Sequence, residues 1–118
     1  MDGKRASVDG RSPRVTPLPV QRALREVAED LVAWRKLRGL TQAQLADRAG
    51  VSVNTLRRLE DGGGGVTFEN VFRILRGLGV LDALTRALDP YETDVGRMRA
   101  DEQLPQRVRP RKLTGSDG

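Results

Sequence analysis

The sequence predicts an all-α fold: five helices within residues 20–89, flanked by two disordered tails. Three observations carry this. Apolar residues recur at spacings of three and four, the period of a helix surface. Serine or threonine precedes several of these runs and glycine follows them, which is helix punctuation. The flanks lose the periodicity and fill with Gly, Ser, Pro and Arg, a composition that buries little.

Residues 1–19 read as a disordered basic arm, with Lys4, Arg5, Arg11 and Arg14 diluted by Asp2 and Asp9. Pro17 and Pro19 keep a helix from running back into it, so the first helix is expected from about Pro19 or Val20. Leu24, Val27, Leu31, Trp34 and Arg35 fall on one of its faces, and Gly39 is placed to end it. Trp34, beside Leu31, is expected in the core.

Thr41 is a good N-cap for the second helix, and Gln44 completes a capping box. Leu45, Ala46 and Ala49 face inward. Gly50 suits a left-handed turn. Ser52 caps a third helix, Val53 to Glu60, with Leu56 and Leu59 inward. Where these two helices cross, the contact must be small, and Ala46 fits. A leucine there would overpack the crossing, at a cost on the order of 1–3 kcal/mol or more.

Asp61 to Gly65 is a loop with four consecutive glycines. It is either a flexible connector or a close-approach loop that brings backbone N–H groups of Val66, Thr67 or Phe68 to a phosphate. No Gly-Lys-Ser/Thr follows it, so it is no nucleotide loop. Thr67 caps a fourth helix whose stripe is Phe68, Val71, Phe72, Ile74, Leu75 and Leu78. After Gly79, Val80 to Leu88 reads as a short fifth helix with Leu81, Leu84, Ala87 and Leu88 on one side, ended by Pro90. Residues 90–118 read as a partly disordered, basic tail with at most a weak helix over 92–103. Tyr91 either packs back on helix five or joins a dimer contact.

Composition narrows the chemistry. Cysteine and histidine are both absent, which removes disulfides, the usual zinc ligands and the commonest general bases. The expectation is a non-enzyme without cofactor or metal. No run of 18 apolar residues and no signal-peptide core occurs, so a soluble, cytoplasmic, nucleoid-associated protein is expected, with no membrane partner. Net charge is +5 and the pI about 10.6, favouring a polyanion. Residues 20–89 hold 11 basic and 9 acidic side chains, so placement matters more than total charge.

From Leu31 to Leu78 the chain resembles the Xre-type, lambda-repressor-like helix-turn-helix family. The resemblance rests on Arg35, Gly39-Leu40-Thr41-Gln42, Leu45-Ala46, Ala49-Gly50-Val51-Ser52, Leu56, Leu59-Glu60 and the Leu75–Leu78 pair. It implies sequence-specific binding of double-stranded DNA as a homodimeric repressor, with helix 53–60 in the major groove. By family position Val53, Asn54 and Arg58 read bases: Asn54 suits adenine N6 and N7, Arg58 suits guanine O6 and N7, and Val53 suits a thymine methyl. Gln42, Thr55, Arg57 and Thr67 are assigned to the DNA backbone. The resemblance also implies a partly buried salt bridge between Arg35 and Glu60.

Two further readings concern partners. Phe72, Val80, Leu81, Leu84 and Leu88 either form a dimer face or complete the monomer core. The stretch Glu60, loop, Thr67 and Phe72-Arg73-Ile74-Leu75 resembles antitoxins of the HipB type, which restrain a HipA-type kinase toxin and repress their own operon. HipB-type proteins place an intermolecular strand where residues 80–88 read as helix. The basic run Arg107, Arg109, Arg111 and Lys112 is either a solvated tail or a contact for phosphates or an acidic partner.

Overall fold

The computed structural model describes residues 15–104. These form α1 (Leu18–Leu37), α2 (Gln42–Ala49), α3 (Val53–Glu60), α4 (Phe68–Leu78), α5 (Leu81–Ala87), a 3-10 turn (Pro90–Glu92) and α6 (Asp94–Gln103), with no strand among the described residues. Lys4, Arg5, Arg11, Arg14, Arg107, Arg109, Arg111 and Lys112 lie outside them. The chain divides into two compact units, one ending at Leu78 and the other starting at Gly79. Among the described residues no helix is long and apolar enough to cross a membrane.

In the first unit, α1 starts at Leu18, earlier than the end of the expected arm. Pro17 and Pro19 permit this because the first turn of a helix has no intrahelical use for their missing N–H groups. The Pro17 carbonyl accepts from the N–H groups of Val20 and Gln21, both at 3.0 Å. At the other end, the N–H groups of Gly39 and Leu40 close back on the carbonyls of Lys36 and Arg35.

Thr41 caps α2 with a full capping box, its Oγ1 accepting from Gln44 N–H while its own N–H donates to Gln44 Oε1. Ser52 caps α3 by accepting from Thr55 N–H at 3.0 Å. Between them Gly50 takes φ +73°, where a side chain costs about 1–2 kcal/mol.

α2 packs against α3 and α4, and α1 against α3 and α4. The core they enclose is Ala28, Leu31, Leu45, Ala46, Ala49, Leu56, Leu59, Ile74, Leu75 and Leu78. α2 and α4 approach closely at Gly77, where an added Cβ would sit 3.1 Å from Leu45 Cδ1 and 3.3 Å from Ala49 Cβ.

Three residues of this unit expected inward are exposed. Val27 and Trp34 are 48% and 40% exposed. Ala28, Leu31 and Arg35 make the inward line of α1, and Val27 and Trp34 sit on its edge. The Trp34 ring instead lies beneath the Arg38 guanidinium, 5.4 Å away, a cation–π contact. Phe68, at 74% exposure, opens α4 on its outer side and packs against Phe72 with ring centroids 4.4 Å apart and the rings tilted by 51°.

In the second unit, α5 buries no residue fully. Leu81 and Leu84 are half-buried, whereas Ala87 and Leu88, expected inward, are exposed. The buried Asp89 accepts from Tyr91 N–H at 2.9 Å and so caps the 3-10 turn. The helix count rises from the five expected to six because α6 is ordered. Thr93 caps it by accepting from Gly96 N–H at 2.9 Å, it packs on the 3-10 turn and Ala100 is buried. Its amphipathic signal is weak in sequence because a small residue supplies that contact.

Candidate nucleic-acid interface

The site is the outward half of α3 and the first turn of α2. Leu56 and Leu59 fix the inward side of α3. With 3.6 residues per turn, Asn54 and Arg58 then lie opposite the core, flanked by Val53 and Arg57. Asn54, Arg57 and Arg58 are exposed, and Val53 and Thr55 are half-buried. Among the described residues the side chains of Asn54 and Arg58 have no hydrogen-bond or ion-pair partner within the chain. Their polar ends are directed at solvent and are available to an external ligand.

Beneath this face lies a buried ion pair. Arg35 and Glu60 are 13% and 5% exposed in their side chains. Arg35 Nε donates to Glu60 Oε2 at 2.7 Å and Nη2 to Oε1 at 3.2 Å, while Nη1 donates to the Leu40 carbonyl at 3.0 Å. This bidentate geometry is the strong form of an Arg–carboxylate contact. It joins the last turn of α1 to the last residue of α3 and so sets the angle at which α3 is presented.

Gln42 extends the network. Its Nε2 donates to Glu60 Oε1 at 2.8 Å, and its Oε1 accepts from Arg57 Nε at 3.3 Å. Sequence reasoning named Gln42, Arg57 and Glu60 separately and missed that they form one chain of contacts. The available signal was that a carboxylate has room for more donors than one guanidinium supplies.

The other backbone candidates also have local duties. Thr55 Oγ1 accepts from the Ser52 hydroxyl at 2.9 Å. Thr67 caps α4 by accepting from Asn70 N–H at 3.1 Å. The stem of Arg58 runs beside Gly63, whose N–H donates to the Arg58 carbonyl. Arg73, paired with Glu69, lies over the Gly50 turn.

Comparison with known proteins agrees with this geometry. A helix-turn-helix family model matches residues 31–82, which include the ion pair, α2, α3 and α4. The chain is 33% identical over 92 residues to the cryptic phage CTXphi transcriptional repressor RstR of Vibrio cholerae serotype O1, covering 78% of this chain and 74% of that protein. The chain belongs to the Xre-type helix-turn-helix family. As an Xre-type DNA-binding protein it presents the half of its motif that faces away from the core. No solved structure matches the chain at a significant level.

Proposed function

We propose that this Xre-type protein is a transcriptional repressor that binds an operator in double-stranded DNA as a homodimer, with α3 in the major groove. The observation that carries the reading is the exposed, unpartnered pair Asn54 and Arg58 on a helix whose other side is locked by the core and by Arg35–Glu60. Bidentate groups held on a rigid helix are what base edges select. Val53 is assigned to a methyl contact, and Thr55, Arg57, Gln42 and Thr67 to phosphates.

Each unit leaves apolar surface for a second copy: the Phe68–Phe72 pair in the first, and Leu88, Val95 and Met98 in the second. A two-fold dimer would place its recognition helices about 34–36 Å apart, one turn of DNA. The repressor named above supports this reading by similarity over most of both chains. The helix Leu81–Ala87 stands where HipB-type antitoxins have a strand, so the stand-alone repressor takes precedence over an antitoxin with a kinase partner. Sedimentation of the protein on duplexes carrying one or two selected half-sites tests the dimer. Two copies per paired site are expected, and one copy per duplex on every DNA contradicts it.

A further inference from the structure

We infer that Gln42 acts as a positioning residue for Arg57, aiming its guanidinium at a DNA phosphate from the anchor of the Arg35–Glu60 pair. The inference rests on the DNA-binding reading above. It changes the roles within that reading: two separate phosphate contacts become one contact and its support.

Glu60 is the buried end of this chain of contacts. A carboxylate only accepts hydrogen bonds. Its oxygens already take Arg35 Nε and Nη2, and Gln42 adds a third donor, so the Gln42 amide must turn its nitrogen inward. The amide carbonyl then faces the other way. It too only accepts, and Arg57 Nε meets it at 3.3 Å. The orientation is passed along by chemistry: a carboxylate fixes an amide, and the amide fixes a guanidinium.

Arg57 spends only Nε in this contact. Among the described residues its Nη groups have no partner, which leaves a planar fork of donors suited to a phosphate. Arg57 is exposed, so without Gln42 its long side chain would be free to sample many rotamers. Holding it beforehand lowers the ordering cost on binding. Arg58, on the same helix, has no such support. The contrast separates a held cation at the edge of the face from an unpartnered one at its centre.

The test is a double-mutant cycle read by fluorescence anisotropy on a labelled random-sequence duplex of about 30 base pairs, titrated over a range of KCl. Non-specific DNA suffices because phosphate contacts do not depend on sequence. Arg57→Ala is expected to weaken binding roughly tenfold at low salt and to reduce the salt slope by about one. Gln42→Ala is expected to weaken it about three- to tenfold, and the double variant to bind about as Arg57→Ala does. Losses that multiply in the double variant would give Gln42 a phosphate of its own and overturn the inference, as would wild-type binding by Gln42→Ala. If Gln42→Ala does not fold, Gln42→Asn replaces it. The shorter amide reaches Glu60 or Arg57 but does not span both, and the same loss is expected. Wild-type protein that binds no duplex at any salt overturns the DNA-binding reading, and the inference with it. Binding by the wild type with multiplying losses overturns the inference alone.

Discussion

The two faces of α3 obey different rules. The inner face, Leu56 and Leu59 with Glu60 at its end, is dry and fully engaged: apolar groups meet the core, and the charge meets a guanidinium and an amide. The outer face, Asn54 and Arg58, is wet and unengaged. Substitutions on the inner face should therefore be read in stability and those on the outer face in DNA affinity. Gln42 and Arg57 sit at the boundary, where the scaffold contact to Glu60 continues through an amide to an exposed guanidinium.

Breaking this division is the way to test it, starting with the largest expected effect. Glu60→Ala leaves the Arg35 guanidinium buried without its carboxylate and should cost about 3–5 kcal/mol. Thermal unfolding should show a large fall in Tm, and an unchanged Tm would sink the claim that the pair holds α1 to α3. Leu56→Ala empties a fully buried site and should cost about 2–5 kcal/mol in denaturant unfolding, with the selected DNA sequence unchanged in whatever protein remains folded.

On the outer face the readout switches. Arg58→Ala should leave Tm within about 0.5 kcal/mol equivalent, while binding to a selected operator weakens by about 1–3 kcal/mol and preference relaxes at one base pair. An equal loss on every sequence would move Arg58 to the phosphate backbone. The smallest effect is at the turn. Gly50→Ala puts a side chain at φ +73° and should cost about 1–2 kcal/mol. Among the described residues the one atom a new Cβ would crowd is Nη1 of Arg73, at 3.2 Å, and a flexible side chain can yield.

Much of this fold is legible in the sequence because the informative features are local. Thr41 with Gln44, Gly50 and Ser52 each act within a few residues, and the structure uses them as caps and turn. Leu45, Leu56 and Ile74 lie in runs whose period leaves one choice of inward face. Trp34 and Phe68 are different. Both are large and apolar at positions consistent with the core, but which edge of a helix is covered depends on a neighbour that periodicity does not name. α6 was faint for the opposite reason, since its buried contact is a single alanine. In the site, the outward set on α3 follows from helix geometry once Leu56 and Leu59 are placed. The turn of the Gln42 amide depends on Glu60, 18 residues away in sequence, and only the folded arrangement brings them together.

The central claim is that the outer face of α3 reads sequence. Selection of bound duplexes from a random pool, run in parallel with wild type and Arg58→Ala at one stated salt concentration, tests it most directly. The account predicts an enriched motif with two-fold symmetry for the wild type, and the same motif with one position in each half relaxed for the variant. No enriched motif, or the same motif unaltered in Arg58→Ala, would contradict it.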